Sequence, residues 1–211
     1  MKLSRLLLLL LISLSFASHG AAKTKEQLDY LLQLPDEYVL GDQKAKVIFI
    51  EYSSLSCPTC AAFHNTIYHE IKKRYIDQGK MKYIYRNYPL DEVAIKAAVL
   101  PICGDKEKYF LFIQALFATQ NSWATTSSYI SILEDISVLG GLSKNQFMKC
   151  LQDKNIENQI LQSRLIGHNI LQINSTPTLI INGEKITGVP NKEALFQIID
   201  NKLNICTKKI N

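Results

Sequence analysis

The segment of residues 47–76 constrains the fold of this 211-residue chain more than any other part of it. Residues 47–52 (VIFIEY) form a nearly continuous β-branched and aromatic run, which predicts a strand buried on both faces of a parallel sheet. After a loop at residues 53–56, apolar residues recur at helical spacing to about residue 76, which predicts a helix. A buried strand that leads directly into a helix is typical of α/β folds.

A second strand is predicted at residues 81–87, where side chains alternate until Pro89 ends the pattern. Strand, helix and strand in this order predict a right-handed βαβ unit. Ligands of such units bind at the carboxyl ends of the strands. Cys57, at the junction of the first strand and the helix, falls at that edge.

The remaining pattern is a run of helices followed by a hairpin. Residues 91–170 carry five apolar stripes at helical spacing, separated by Gly104, Gly140-Gly141 and a capping box of Ser143 with Gln146. Residues 178–181 and 185–187 flank Asn-Gly, which favours a tight hairpin turn, and a last helix is predicted at residues 192–204. The sequence therefore predicts an α/β fold, βαβ and then ββα, with a helical insertion between the two halves.

The pattern of the N-terminal residues predicts an export signal. Lys2 and Arg5 precede the apolar residues 6–17, and small residues lead to an expected cleavage site near Ala22. An uncleaved signal anchor is the alternative, although the apolar run is shorter than a membrane span. Removal of residues 1–22 lowers the net charge from +5 to +3, which is too mild to predict nucleic-acid binding.

Cys57-Pro58-Thr59-Cys60 stands where the predicted helix begins. Unpaired amides and the helix dipole stabilise an anion at that position, so we expect Cys57 to be a reactive thiolate. Cys60 lies one turn further in and can resolve a mixed disulfide. Pro58 fits the first helical turn, where an amide proton is not needed.

Thr176-Pro177 immediately precedes the predicted hairpin. A cis proline beside the cysteines would expose a backbone edge to which a peptide substrate can add as a strand. An ordinary proline that initiates a strand is an equally good interpretation of the position alone.

Together these segments resemble the DsbA family of periplasmic disulfide oxidoreductases, particularly its smaller single-domain members. The resemblance covers residues 41–204, and the matching segments are residues 47–52, 57–64, 86–90 and 175–183. It implies a thioredoxin-like fold in which Cys57 is the attacking cysteine, Cys60 resolves, Pro177 is cis and the Thr176 backbone docks substrate. The implied organisation is a signal peptide at 1–22, an N-terminal lead-in at 23–46, a thioredoxin-like domain at 47–90 and 175–206, and a helical insertion at 91–174.

Besides Pro58, which is expected to tune the site, Glu51 and Thr59 are expected to do so. Glu51 matches an acid that the family buries beneath the cysteines, where it can exchange protons with Cys60; a carboxylate pointing to solvent is the alternative. Thr59 departs from the strong oxidants of the family, which carry histidine there. Because a hydroxyl adds no positive charge near the thiolate, we expect a milder oxidant.

Structural roles are expected for most of the other cysteines and histidines. Cys103 and Cys150, at the ends of two insertion helices, are expected to form a structural disulfide in an oxidising compartment, whereas Cys206 has no evident partner. His64 is predicted to be a packed, hydrogen-bonded histidine, with tuning of the thiols as the alternative. A metal site is not expected, because one helix cannot bring Cys57, Cys60, His64 and His69 together.

The sequence thus predicts a periplasmic dithiol oxidase that acts on exported, cysteine-containing proteins. It needs no cofactor and no metal, does not bind nucleic acid, and is reoxidised by a membrane partner. The alternatives are a reductase or isomerase and, from another class, a non-enzymatic chaperone or surface-associated binding protein. The intact Cys-x-x-Cys pair argues against the last class, since a binding module has no use for two thiols at a helix start.

Overall fold

The computed structural model of the protein describes residues 24–208, with side chains described to residue 205. The predicted signal peptide and the Cys206 side chain lie outside this part of the chain. Within residues 24–208, no helix is both long and apolar enough to cross a membrane.

A four-stranded mixed sheet forms the centre of the fold, in the order β2-β1-β3-β4. Its strands are β1 Val47–Ser53, β2 Met81–Asn87, β3 Thr178–Ile181 and β4 Glu184–Thr187. β1 pairs parallel to β2 and antiparallel to β3, so it is hydrogen-bonded on both edges. This arrangement confirms the predicted thioredoxin-like α/β class.

Both faces of the sheet are covered, which explains the continuous apolar composition of β1. Phe49 faces one core together with Leu179, and the next residue, Ile50, faces the other core together with Ile180. All four side chains have no exposed surface. The β3–β4 turn at Asn182 and Gly183 has positive φ at both residues, 47° and 81°, as the Asn-Gly signal predicts.

The helix that follows β1 runs from Pro58 to Ile76 without a break but not with uniform geometry. It consists of α2 Pro58–Phe63, a π-helical turn His64–Tyr68, α3 His69–Ile71 and a second π-helical turn Lys72–Ile76. The predicted helix is confirmed. The two π turns, which widen the helix and shift the side chains after them, are not marked by a local sequence pattern.

The helices between β2 and β3 largely follow the predicted stripes. They are α4 Glu92–Cys103, α5 Tyr109–Ala118, α6 Gln120–Trp123, α7 Tyr129–Leu139, α8 Lys144–Gln152 and α9 Lys154–Asn169. The Ser143 capping box is present. α5 begins at Tyr109, after a 3-10 turn that follows Gly104, and the short α6 was not predicted.

The two ends of the described chain pack against the sheet. The lead-in contains helix α1 Lys25–Tyr30, and the buried guanidinium of Arg86 on β2 holds the segment after it through the Glu37 carboxylate, at 2.6 Å, and the Leu32 carbonyl, at 2.7 Å. The last helix is α10 Lys192–Lys208, which buries Leu195 and Ile199 completely. It is four residues longer than predicted.

Candidate active site

Cys57 and Cys60 lie at the junction of β1 and the helix that follows. Cys57 is the N-cap residue of α2, Pro58 is its first residue, and the Ala61 amide donates to the Cys57 carbonyl at 3.1 Å. Both cysteines are free thiols and both are buried, with 6% of Cys57 and 0% of Cys60 exposed. Cys57 is thus less open than its position at a helix start suggests, but it is the cysteine of this pair that an incoming thiolate can reach.

The surroundings lower the pKa of Cys57 to about 5 from an ordinary value of 9.0. The main cause is a hydrogen bond from the Cys60 thiol, which stabilises the Cys57 thiolate. Burial acts in the opposite direction and raises the pKa. The Thr176 side chain and the amides of Cys60 and Thr59 stabilise the thiolate further. The physical origin is the one expected for a sulfur at a helix N-terminus, where donors point at the anion.

The pKa of Cys60 is raised far above its ordinary value. Burial is the main cause, followed by the hydrogen bond given to the Cys57 sulfur and the negative charge of Glu51. The two cysteines therefore differ in chemistry: at neutral pH one is a thiolate and the other is a thiol that donates to it.

Thr176 and Pro177 lie beside Cys57, as the resemblance implied. Their peptide bond is cis, and the Cys57 Sγ lies 3.5 Å from the Thr176 carbonyl oxygen. Pro177 is buried at the start of β3, whereas Thr176 is half-buried. The Thr176 hydroxyl makes no hydrogen bond with the described residues while Cys57 is a thiol, so it is free to donate to the sulfur when Cys57 is a thiolate. Pro58 and Thr59, between the two cysteines, are exposed.

Glu51 points into the core and not to solvent. Its side chain has no exposed surface, and its Oε2 accepts a 2.7 Å hydrogen bond from the Tyr83 hydroxyl and lies 3.1 Å from Nε2 of His64. Thus His64 is a packed histidine with a polar partner, and that partner is the acid whose charge acts on Cys60.

Gln120 contributes to the site and was not identified from the sequence. Its buried side-chain amide donates to the Leu55 carbonyl at 2.7 Å and to the Cys57 carbonyl at 3.0 Å. The short helix α6 of the insertion therefore holds the active-site loop on both sides of Ser56. No local pattern marks Gln120, because its partners are more than 60 residues away.

Cys103 and Cys150 form a disulfide that joins the end of α4 to α8, with their Cα atoms 6.2 Å apart. The bond closes a loop in the helical insertion across 47 residues of sequence. Its place in the fold is consistent with a structural role, because it connects two packed helices.

Comparisons with known proteins agree with this geometry. A family model described as thioredoxin matches residues 33–201. The crystal structure of α-DsbA1 from Wolbachia pipientis superposes with a TM-score of 0.82 at 33% identity, covering 88% of this chain and 100% of that one. Oxidised BdbD of Bacillus subtilis, at 21% identity and a TM-score of 0.73, shares the fold over 80% of this chain and 93% of its own.

A Rickettsia felis protein provisionally named protein-disulfide oxidoreductase is 32% identical over 169 residues. The match covers 80% of this chain and 60% of the relative, so the chain spans less than two thirds of that protein. The family model places the chain among thioredoxin-like proteins, and the match to α-DsbA1, which covers the whole of that chain at 33% identity, places it with the DsbA proteins. The chain therefore belongs to the DsbA family of thioredoxin-like proteins.

Proposed function

We propose that the protein is a thiol-disulfide oxidoreductase that introduces disulfide bonds into exported proteins by exchange through Cys57 and Cys60. The observation that carries the proposal is the geometry of the pair: Cys57 caps the start of α2, and Cys60, one turn further in, is fully buried. This arrangement lowers the pKa of Cys57 to about 5 and raises that of Cys60. Thiol-disulfide exchange requires one sulfur that attacks and leaves as a thiolate, and this pair provides it.

The reaction follows from that difference. A substrate thiolate attacks the Cys57 sulfur of the oxidised enzyme, the Cys57–Cys60 bond breaks, and Cys60 leaves and takes up a proton. A second thiolate of the substrate then attacks the substrate sulfur of the mixed disulfide, and Cys57 departs as a stable thiolate. The substrate gains one disulfide, and the enzyme is left with a Cys57 thiolate and a Cys60 thiol.

The same electrostatics support the oxidase direction. Interactions that stabilise the Cys57 thiolate stabilise the reduced enzyme, and the disulfide form becomes the stronger oxidant. Substrate would bind as an extended segment along the backbone of Thr176, beside the cis Pro177 and within reach of the Cys57 sulfur.

Location and partners complete the proposal. The export signal at residues 1–22 supports delivery to the periplasm, where the substrates would be cysteine-containing exported proteins. Reoxidation by a membrane redox partner would close the cycle. A relative from Bacillus subtilis, 24% identical over 173 residues, is named disulfide bond formation protein D, which fits the oxidase direction.

Two measurements test the proposal. Equilibration with glutathione buffers gives the reduction potential; a value well above that of thioredoxin, about −270 mV, is expected, and a value near or below it favours the reductase. With a reduced two-cysteine peptide, Cys57→Ser should abolish oxidation and Cys60→Ser should accumulate the mixed disulfide. Failure of the wild-type protein to oxidise the peptide would favour a non-enzymatic role.

A further inference from the structure

Tyr88, the residue after β2, connects two segments that meet at the active site. Its backbone amide donates to the carbonyl of Ser53, the last residue of β1, at 2.8 Å. Its side-chain hydroxyl donates to the Ile173 carbonyl at 2.7 Å. Ile173 belongs to the loop between α9 and β3, residues 170–177, which also carries Thr176. One residue therefore bonds both to the strand that leads to the cysteines and to the loop beside them.

The Tyr88 ring is held in a narrow slot. Its side chain is 4% exposed and packs with Ile173 in the core on one face of the sheet. α9 passes so close that a Cβ at Gly167 would lie 3.2 Å from Cδ2 of Tyr88 and 2.9 Å from Cε1 of Tyr52. The guanidinium carbon of Arg164 lies 5.8 Å from the ring centroid of Tyr88. The ring is thus fixed between the sheet and α9, and this determines where its hydroxyl lies.

Residues 174–176 extend between two fixed points, β3 at one end and Ile173 at the other. The other hydrogen-bonding contacts of Ile173 involve the end of α9. Its amide donates to the Gly167 carbonyl at 2.9 Å, and Nδ1 of the exposed His168 lies 3.3 Å from its carbonyl oxygen. The bond from the Tyr88 hydroxyl instead ties Ile173 to the strands that lead to the cysteines. It therefore fixes residues 174–176 relative to the active site.

The contact between Cys57 and Thr176 cannot hold this segment throughout the reaction. A protonated Cys57 thiol can donate to the Thr176 carbonyl, which lies 3.5 Å from the sulfur. A thiolate, or a sulfur that is part of a disulfide, has no proton to donate. In those states the position of Thr176 must come from the two ends of the segment, and the bond from Tyr88 to Ile173 holds one of these ends.

We propose that Tyr88 is a positioning residue for peptide substrates. Its bond to Ile173 sets the distance between the Thr176 backbone, where the substrate strand docks, and the sulfur of Cys57. The proposal rests on the proposed function. The step affected is the first exchange, in which the thiolate of the docked peptide bonds to the Cys57 sulfur, and Cys60 leaves and takes up a proton. Because a misplacement of about 1 Å slows such a step strongly, the hydroxyl of Tyr88 favours peptide thiols. Small thiols, which form no strand hydrogen bonds, do not depend on it.

Single-turnover oxidation separates docking from thiol chemistry. Oxidised protein is mixed with increasing concentrations of a reduced two-cysteine peptide, quenched with acid and analysed by mass spectrometry; dithiothreitol serves as the small dithiol. Tyr88→Phe keeps the ring and removes the hydroxyl. It should raise the peptide concentration that gives the half-maximal rate by about two- to tenfold, the effect of one lost hydrogen bond. The rate constant with dithiothreitol and the reduction potential should stay at the wild-type values.

Tyr52→Phe is the matched control. The Tyr52 hydroxyl belongs to the same core and accepts a hydrogen bond from Nη1 of Arg86 at 3.1 Å. Its removal also takes away a buried tyrosine hydrogen bond, but not one that reaches the loop with Thr176. The dependence of the rate on peptide concentration should be that of the wild type in this variant, even if its unfolding free energy falls. The comparison separates positioning from a general loss of stability.

A peptide that is N-methylated at the residues on either side of its reactive cysteine provides a second readout, because it cannot form the strand hydrogen bonds. Wild type should need more of this peptide for the half-maximal rate, and Tyr88→Phe should raise that concentration no further. An unchanged dependence on the unmodified peptide in Tyr88→Phe would overturn the role of Tyr88, as would an equal slowing with dithiothreitol. If N-methylation has no effect on wild type, or if wild type oxidises neither peptide, the proposed function itself has failed, and the positioning role falls with it.

Discussion

The sulfur of Cys57 lies 3.5 Å from the carbonyl oxygen of Thr176, although 119 residues separate them in the chain. The contact brings the loop after β1 next to the start of β3. As a result, both the backbone and the side chain of Thr176 lie beside the Cys57 sulfur. The Thr176 backbone is where we propose that substrate docks, and the Thr176 side chain lowers the pKa of Cys57. One residue can therefore affect both substrate docking and thiolate stability.

Replacing Thr176 by valine tests the second effect. Valine keeps the shape of the side chain but removes the hydroxyl, so the pKa of Cys57 should rise by about one unit. The reduction potential should fall, because the reduced form loses stabilisation. Thiolate absorbance against pH measures the first quantity and a glutathione titration the second. Thr176→Ser, which keeps the hydroxyl, is the matched control, and equal values for the valine variant and wild type would refute this role.

The low pKa of Cys57 also predicts how the stability of the reduced protein depends on pH. The folded state binds the thiol proton more weakly than the unfolded chain, with a pKa of about 5 against 9.0. The stabilising contribution should be absent below about pH 5, grow as the pH rises, and be complete above about pH 9. Urea unfolding of reduced wild type and reduced Cys57→Ala across this range gives the difference, which should increase with pH. A constant difference would contradict the assignment.

Gln120 should matter to the active-site loop although it belongs to the insertion. Gln120→Leu keeps a similar volume but removes the donor shared by the Leu55 and Cys57 carbonyls, which should cost about 1–3 kcal/mol of unfolding free energy. Asn121→Ala, at an exposed position of the same helix, is the control. Urea unfolding of the oxidised proteins measures the loss of stability. A loss no larger than that of the control would show that the two Gln120 hydrogen bonds do not stabilise the active-site loop.

The comparison of Gln120 with Asn182 shows what could be predicted from sequence. The Asn182-Gly183 turn, the Ser143 capping box and the β1 and β2 strands depend on neighbouring residues, so local patterns were sufficient. The orientation of Glu51 was left open because burial depends on how the sheet is covered. The hydrogen bonds of Gln120 and the π turn at His64 depend on contacts between distant segments, which a local sequence pattern cannot predict.

The disulfide between Cys103 and Cys150 should stabilise the helical insertion without changing the redox site. On chain-entropy grounds, the Cys103→Ala, Cys150→Ala double variant should lose about 3 to 4 kcal/mol of unfolding free energy. The potential of the Cys57–Cys60 pair should stay at the wild-type value. Mass mapping of alkylated peptides should show Cys103 and Cys150 still joined when mild reduction opens the active-site pair. Two free thiols at these positions in air-oxidised protein would refute the pairing.

The last prediction concerns Thr59, which is exposed and lies between the two cysteines. The Thr59 amide already stabilises the Cys57 thiolate, whereas its hydroxyl adds no charge. An imidazole at this position adds positive charge within one helical turn of the sulfur whenever it is protonated. Thr59→His should therefore lower the pKa of Cys57 further and stabilise the reduced form.

For a two-electron couple, about 30 mV corresponds to ~1.4 kcal/mol, so the potential should rise by roughly a few tens of millivolts. Thr59→Gln, a neutral side chain that can also hydrogen-bond, is the control that separates charge from hydrogen bonding. Thiolate absorbance and a glutathione titration on the three proteins measure the two effects independently. If Thr59→His leaves both values where Thr59→Gln has them, charge at this position does not tune the thiolate, and Glu51 and Thr176 become the groups that determine the potential.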